Sequence, residues 1–348
     1  MAGNKSLRAA DKAKQDEFYT QLVDIENELK HYKAHFKGKT VLCNCDDPRI
    51  SNFFHYFSYG FEHLGLKKLI TTCYKSQNRD LFSKNDSERA IWLEYNGDKN
   101  GNRVPDPEEI GINFLKGDGD FRSQECIELL KQADIVVTNP PFSLFREYVA
   151  QLMEYDKKFV IMGNQNAITY KEIFSYIKAN KLWLGSTLSF AKFKVPDYYE
   201  PRATRFWVDE TGQKWRSMGN ICWFTNLDIA KRHEELILYK NYSKDEYPFY
   251  DNYDAINVNK VAEIPMDYDG VMGVPITFLD KYNPEQFELL GIMNTGEINE
   301  GIRYPNTPHG RPIINGKELY LRILIRSRQK KQSNFALAAE PSNPFTSK

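Results

Sequence analysis

The sequence predicts a doubly wound α/β fold with a mostly parallel sheet, followed by a region of mixed α and β structure. Short β-prone runs separated by helical patterns are the first indication, because strands buried on both faces lack polar alternation. These runs cover residues 40–45, 68–73, 113–116, 134–138 and 158–162. The second indication is a change after about residue 180 to short aromatic pieces broken by Pro and Gly.

The elements of the first half follow from local patterns. Apolar residues recur at steps of three and four from Leu22 to Phe36, which predicts one helix with an apolar stripe that ends at Gly38. Residues 51–64 are rich in aromatic side chains and indicate a second helix. Between the second and third strands, residues 92–109 carry the Asn-Gly turn signals of a hairpin.

Composition limits the classes of protein that need consideration. Lys and Arg together number 47, as do Asp and Glu, so any contact with nucleic acid must come from local basic patches. The five cysteines lack paired metal-ligand spacing, which favours a reducing compartment over disulfides or zinc. No apolar run approaches the roughly 20 residues that span a bilayer, and the polar start lacks a signal sequence. We expect a soluble, cytoplasmic protein.

Two patterns resemble metal sites, and we expect neither to bind a metal. Residues 98–109 follow the ligand spacing of a calcium loop, but Arg103 stands where the sharp turn requires Gly. His31 and His35 lie four residues apart on the predicted first helix, and no third ligand is indicated.

The tetrapeptide Asn139-Pro140-Pro141-Phe142 directly follows a predicted strand, at the strand end where open α/β sheets bind ligands. An amine on an aromatic ring is a poor nucleophile because its lone pair is delocalised. The Asn139 side-chain oxygen and the Pro140 carbonyl can each accept one amine hydrogen, which aims the lone pair at a methyl sulfonium. Pro141 holds the carbonyl still, and Phe142 can stack on the aromatic ring that carries the amine. The alternative is a rigid turn without chemistry.

Six stretches spread over most of the chain carry a family resemblance: DEFYTQLVDIENEL, VLCNCDDPRISNFF, GLKKLITTCY, DKNGNRVPDPEEIG, DIVVTNPPFSLFREY and MGVPITFLDKYNPEQFELLG. They resemble the EcoRI-type family of adenine-N6 DNA methyltransferases. The resemblance implies a Rossmann-like methyltransferase fold, S-adenosylmethionine as donor, and a short palindromic site in double-stranded DNA as substrate. The target adenine must then leave the duplex stack.

The resemblance also implies donor-binding positions. Phe18, Tyr19 and Thr20 match the segment that closes over the methionine end of the donor, and a simple helix start is the alternative. Asp120 and Phe121 match the turn that holds the adenine of the donor. A solvated Asp-Gly turn is the alternative there.

Two further donor positions depart from the wider pattern. Cys45 and Asp46 follow the first strand, where a Gly-x-Gly turn is usual. We assign both to the donor pocket, with the alternative that Asp46 only pairs with Arg49. Tyr74 follows the second strand in place of the acidic residue that usually binds ribose hydroxyls, and core packing is its alternative.

DNA contacts are expected at two places. Asn164 and Asn166 follow the fifth strand and are predicted to line the target-base pocket, unless they form only a polar loop. Residues 317–331 are the most basic stretch, and we expect this tail to contact DNA through Arg322, Arg326 and Arg328.

Four regions are therefore predicted: a flexible arm at 1–15, a catalytic methyltransferase domain at 16–180, a target-recognition region at 181–335 and a disordered tail at 336–348. We expect a monomer in a prokaryotic cytoplasm, with a companion restriction endonuclease as a candidate partner. Two alternatives stay open. One is a protein glutamine-N5 methyltransferase, although such enzymes typically carry Tyr after the prolines, and the other is a noncatalytic DNA-binding module.

Overall fold

The computed structural model describes residues 20–44, 51–73, 90–102, 105–106, 109–187, 192–195, 199–201, 203–217, 219–293 and 310–328. These residues form two compact units. The first runs to Glu234 and includes Leu279–Lys281, and the second contains Glu235–Phe278 and the residues from Tyr282 onward. The compact units therefore meet in sequence at Glu234 and Glu235, not at the boundary predicted after residue 180. The functional division into catalytic and target-recognition regions stays a prediction.

An eight-stranded sheet lies at the centre of the first unit, in the order β4-β3-β2-β1-β5-β6-β11-β7. Its four middle strands are parallel, and antiparallel strands flank them on both sides. A smaller antiparallel sheet has the order β8-β10-β9. The strands of this unit are β1 Thr40–Cys43, β2 Lys68–Thr72, β3 Ile91–Tyr95, β4 Gly111–Phe114, β5 Ile135–Thr138, β6 Lys158–Asn164, β7 Trp183–Leu184, β8 Phe193–Lys194, β9 Phe206–Val208, β10 Lys214–Arg216 and β11 Ile221–Thr225.

The helices pack their apolar stripes against this sheet, and the doubly wound α/β prediction is confirmed. They are α1 Leu22–Leu29, α2 Lys33–Phe36, α3 Asn52–Tyr59, α4 Phe61–Leu64, α5 Gln124–Gln132, α6 Phe145–Glu154 and α7 Lys171–Lys178. The predicted first helix is interrupted by a 3-10 turn at Lys30–Tyr32 and is followed by Gly38 at φ 71°. The predicted second helix breaks at Gly60, where a Cβ would lie 2.8 Å from a backbone oxygen.

The predicted third strand needs a correction. It lies at Gly111–Phe114 and pairs antiparallel with β3, which the sequence reading included only as part of a hairpin. β3 has an antiparallel partner next along the chain, but that partner begins at Gly111, beyond the predicted range 92–109, and the connection is much longer than an Asn-Gly turn. All four residues of β4 are exposed, as expected for a strand at the edge of the sheet.

The second unit contains a four-stranded sheet in the order β12-β13-β17-β14 and a short hairpin, β15-β16. The strands are β12 Ile256–Asn257, β13 Met272–Pro275, β14 Phe287–Ile292, β15 Ile313–Ile314, β16 Lys317–Glu318 and β17 Arg322–Ser327. β17 is an interior strand, since it pairs with both β13 and β14. The stretch predicted as a basic tail is therefore ordered structure as far as residue 328, because its apolar residues 323–325 are buried.

No helix in the described part of the chain is long and apolar enough to cross a membrane.

Candidate active site

Three asparagines mark one edge of the central sheet. Asn44 follows β1, Asn139 follows β5, and Asn164 is the last residue of β6. Because these strands are parallel, their carboxyl ends lie at the same edge. Ligands of open α/β sheets bind at this edge, so the predicted position of the Asn139 turn is confirmed.

Asn139 is buried, with 7% of its surface exposed, and its amide contacts Thr20. The amide nitrogen donates to the Thr20 hydroxyl at 3.4 Å, and that hydroxyl donates to the Met162 sulfur at 3.1 Å. Since the hydroxyl has a single hydrogen, it must accept from Asn139, which assigns the nitrogen to this side of the amide. The arrangement directs the side-chain oxygen of Asn139 away from Thr20.

Thr20 is itself held in place by a second element. The Asn52 side chain, at the start of α3, donates to the Thr20 backbone oxygen at 2.7 Å. Thr20 is 2% exposed and lies 119 residues from Asn139 in sequence. The structure thus brings a residue predicted to bind the donor into contact with the residue predicted to hold the target amine.

The proline residues shape the turn after Asn139. Pro140 is buried, and Pro141, at φ −56°, precedes a 3-10 helix at Phe142–Leu144. The Pro141 carbonyl accepts from the Leu144 amide at 3.0 Å, so it is used within that helix. Phe142 is half-buried and packs against the main core.

Two residues of this edge, Asn44 and Tyr148, were missed by sequence reasoning. The Tyr148 hydroxyl donates to the Asn44 side-chain oxygen, and the Thr138 hydroxyl donates to the Asn44 backbone oxygen. Phe121 packs edge-on against Tyr148, with ring centroids 5.0 Å apart. Tyr148 therefore connects the end of β1 with the turn that carries Asp120 and Phe121.

That turn lies against the end of β2. Gly119 has φ 82°, and a Cβ there would meet the Cys73 backbone oxygen at 2.2 Å, so only glycine allows this approach. The close packing places Asp120 beside the strand end that in open α/β sheets faces the ligand.

The Asp120 carboxylate accepts hydrogen bonds from the guanidinium and from the backbone amide of Arg122. Arg122 also donates to Glu147 at 2.9 Å. Burial raises the pKa of Asp120, but the hydrogen bonds and charge of Arg122 outweigh it, so the net pKa lies below its ordinary value. An ionised carboxylate is an acceptor only, which suits the amino group of a donor adenine, so the residues here fit S-adenosylmethionine.

Comparison with known proteins places the chain in a family. A family model described as "Adenine-specific methyltransferase EcoRI" matches residues 6–328. The chain belongs to this EcoRI methyltransferase family. Methyltransferases of this kind use S-adenosylmethionine.

Three relatives of this EcoRI-family chain match it along nearly their whole length. Type II methyltransferase M.EcoRI of Escherichia coli is 51% identical, covering 94% of this chain and 98% of its own. M.MgeORF184P of Mycoplasma genitalium is 41% identical, covering 92% of this chain and 98% of its own. M.MpnI of Mycoplasma pneumoniae is 40% identical, covering 92% of this chain and 97% of its own.

Several predicted donor contacts lie outside the described residues of this EcoRI-family chain. These are Phe18, Tyr19, Cys45, Asp46 and Tyr74. Their roles stay predictions, as do the donor contacts of Thr20, Asp120 and Phe121.

The predicted base-pocket residues already make contacts within the protein. The Asn164 side-chain oxygen accepts from the Asn166 amide at 2.9 Å and from Asn220 at 2.8 Å. Asn164 thereby caps the 3-10 helix Gln165–Thr169, while Asn166 is exposed. Their role in the base pocket stays a prediction.

The three predicted DNA-binding arginines lie on or directly after β17 in the second unit. Arg326 is exposed and lies 3.5 Å from Glu288, Arg322 is half-buried, and Arg328 donates to the Phe287 backbone oxygen at 3.2 Å. Arg322 and Arg326 flank three consecutive buried residues of the strand. Their contact with DNA stays a prediction.

Proposed function

We propose that this adenine-specific methyltransferase moves a methyl group from S-adenosylmethionine to N6 of an adenine flipped out of a short duplex DNA site. The observation that carries the proposal is the Asn139 amide, oriented by Thr20 at the carboxyl end of β5. This polarity leaves the oxygen end of the amide, a hydrogen-bond acceptor, directed away from the scaffold contact at Thr20. An acceptor there suits an incoming amine.

The chain's own residues perform the positioning. The Asn139 oxygen and the Pro140 carbonyl accept the two N6 hydrogens and localise the nitrogen lone pair. Phe142 covers one face of the flipped base and offsets part of its unstacking. Asp120 accepts from the amino group of the donor adenine. S-adenosylmethionine supplies the methyl group on a sulfonium centre. The methylated nitrogen is acidic enough to lose its proton without a side-chain base.

The partners follow from the same assignment. The three relatives are named type II methyltransferases, which supports duplex DNA as substrate and a companion restriction endonuclease that acts on the same site. We infer that the protein acts as a monomer in a prokaryotic cytoplasm. The arginines of β17 are expected to contact phosphates, so removing the exposed charge of Arg326 should weaken duplex binding and reduce its salt dependence by about one phosphate contact. An unchanged salt dependence would contradict that contact.

A methyl-transfer assay tests the proposal. Labelled donor is incubated with unmethylated duplex, beginning with one that contains GAATTC, and the product is analysed for N6-methyladenine. Asn139→Ala should reduce the rate by about 10²- to 10³-fold, with donor and duplex binding largely retained, because it removes one transition-state acceptor. Asn96→Ala, an exposed asparagine of the β3-β4 hairpin, is the matched control. Label in protein and not in DNA, or full turnover by Asn139→Ala, would overturn the proposal.

A further inference from the structure

The described residues between β7 and β11 form an insertion at the edge of the sheet that carries Asn139. β11 is antiparallel to both β6 and β7, so β7 runs in the same direction as β6. The chain therefore leaves the sheet after Leu184 and returns at Ile221 on the same edge, and Ile221 pairs with Asn164 at the end of β6. The insertion lies beside the site that receives the base.

The small sheet of this insertion has one face buried in the core and one face outside. Phe193 and Val195 are buried and belong to the main apolar cluster, while Lys192 and Lys194 alternate with them and are exposed. Opposite residues of paired strands share a face. Since Trp215 pairs with Lys194 and with Trp207, these three side chains and Lys192 share the outer face.

The outer face combines two cations with two indoles. The Lys192 ammonium lies 4.3 Å and the Lys194 ammonium 5.7 Å from the centroid of the Trp215 ring. Trp207 is 39% exposed, whereas Trp215 is buried, with 7% exposed, and supports the two lysines from below. Its indole nitrogen donates to Asp209 at 2.7 Å. Asp209 also accepts from the Thr211 hydroxyl and from two turn amides, so its carboxylate is used within the β9-β10 turn.

Neither lysine of this face has a carboxylate within 4 Å in the part of the chain that the structure describes. An ammonium held over an aromatic ring keeps its other hydrogens directed to solvent, where they can bind an anion. Two lysines two residues apart on a strand lie roughly 7 Å from each other, a span that covers neighbouring phosphates of one DNA strand.

We propose that the outer face formed by Lys192, Lys194, Trp207 and Trp215 binds the phosphates of the duplex beside the extruded adenine. The proposal rests on the proposed function, since the ligand is the DNA substrate of that same site. Charge complementarity with phosphates and the shared sheet edge favour DNA as the occupant, and the exposed indole of Trp207 adds a flat surface for a sugar or an unpaired base. An acidic protein partner is an outcome of the test.

The test compares Lys192→Gln/Lys194→Gln with two matched variants. Lys192→Arg/Lys194→Arg keeps both charges, and Lys158→Gln/Lys181→Gln removes two exposed lysines from the opposite edge of the sheet, where β6 and β7 begin. Duplex affinity is measured for each protein between about 50 and 200 mM salt. Thermal unfolding and donor titration establish that each variant is folded.

Loss of two phosphate contacts should reduce the magnitude of the log-log salt slope by about 1.8. The affinity deficit of the Gln variant would then be about twelvefold larger at 50 than at 200 mM salt. The Arg variant and the opposite-edge variant should keep the slope of the parent.

The outcomes separate this proposal from the proposed function. An unchanged slope in the Gln variant, in a parent that methylates duplex adenine, overturns the DNA contact and leaves the methyl transfer intact. The same holds if the opposite-edge variant loses as much slope, or if the outer face binds an acidic protein without affecting DNA. A different result is that the parent binds DNA but methylates only protein, while the Gln variant shows a reduced slope. This result supports the DNA contact and overturns the proposed function.

Discussion

Replacing Thr20 with Val removes the hydroxyl that links Asn139 to Met162 and keeps the size of the side chain. The Asn139 amide nitrogen then loses an acceptor in a buried position. Two effects are expected. The amide is no longer held with its oxygen toward the target amine, so the chemical step slows. Loss of this buried hydrogen bond also lowers the free energy of unfolding by about 0.5–1.5 kcal/mol.

The size of the rate effect follows from the geometry. A neutral hydrogen bond contributes about 0.5–1.5 kcal/mol net, and the Asn139 to Thr20 distance of 3.4 Å is at the long limit for such a bond. Since about 1.4 kcal/mol corresponds to tenfold in rate, kcat should fall by about two- to tenfold. This is well below the loss expected for Asn139→Ala, because Thr20 only orients the group that contacts the amine.

The assay measures kcat and the KM for S-adenosylmethionine on saturating duplex. If Thr20 orients Asn139, Thr20→Val lowers kcat, and Thr20→Ser, which keeps the hydroxyl, restores it. If Thr20 instead binds the donor through its side chain, the substitution raises the donor KM and leaves kcat unchanged. Thr20→Val should also have little further effect on kcat in the Asn139→Ala background, since the two changes disrupt one interaction.

Equal rate losses from Thr20→Val in the parent and in the Asn139→Ala background would refute the orienting role. So would a Thr20→Ser variant as impaired as Thr20→Val.

Three further predictions follow from the donor side of the site. Gly119→Ala and Gly212→Ala both introduce a side chain at φ 82°, but only at Gly119 would the new Cβ meet a backbone oxygen. In denaturant unfolding, Gly119→Ala should therefore lose about 1–3 kcal/mol more stability than Gly212→Ala, and it should also lose donor affinity. Equal losses of stability would contradict the close approach. Arg122→Gln should raise the pKa of Asp120. The lowered pKa of Asp120 stabilises the folded protein at pH values above 3.8, the pKa of Asp120 in the unfolded chain, and this stabilisation is lost as the pH falls through the folded-state pKa. The difference in stability between parent and variant should therefore close below pH 3.8. A difference that does not depend on pH would exclude Arg122 as the cause of the lowered pKa. Tyr148→Phe should lower the free energy of unfolding by about 1–3 kcal/mol, measured by the same method, since it leaves a buried amide oxygen without its donor; an unchanged value would mean that this hydrogen bond contributes nothing.

The parts of the fold that were predictable are those with a local signal. The buried runs of β1, β2, β5 and β6 were located because strands covered on both faces are continuously apolar. Asn139 was placed correctly for the same reason, since the motif directly follows one of these runs.

The contacts of Asn44 had no local signal. Its partners Thr138 and Tyr148 lie 94 and 104 residues away along the chain. Nothing in the neighbourhood of Asn44 indicates which distant hydroxyl will reach it, because that depends on the order of the strands. The antiparallel direction of β3 and β4 had no local signal either, because hydrophobic patterns do not encode the direction in which a strand runs.

The strand within the basic stretch was missed for a different reason. Charge was counted over residues 317–331, whereas the sequence RILIRS contains an apolar centre bounded by arginines. That centre is buried within the sheet of the second unit, and the residues at its ends are partly or fully exposed. A stretch can be basic in composition and still be an interior strand, because the backbone of β17 is paired on both sides while its arginines reach the surface.

The three asparagines at the sheet edge differ in which end of the amide the scaffold holds. Asn44 and Asn164 are bound through their oxygens, by Tyr148 and by Asn166 together with Asn220. Asn139 is bound by Thr20 through its nitrogen. A residue that receives the hydrogens of an amine must present an oxygen, and an oxygen that already accepts from one donor, as at Asn44, or from two, as at Asn164, is less suited to do so. Identical residue types at three strand ends therefore differ in the atoms that they present, and the orientation imposed by Thr20 supports the proposed role of Asn139.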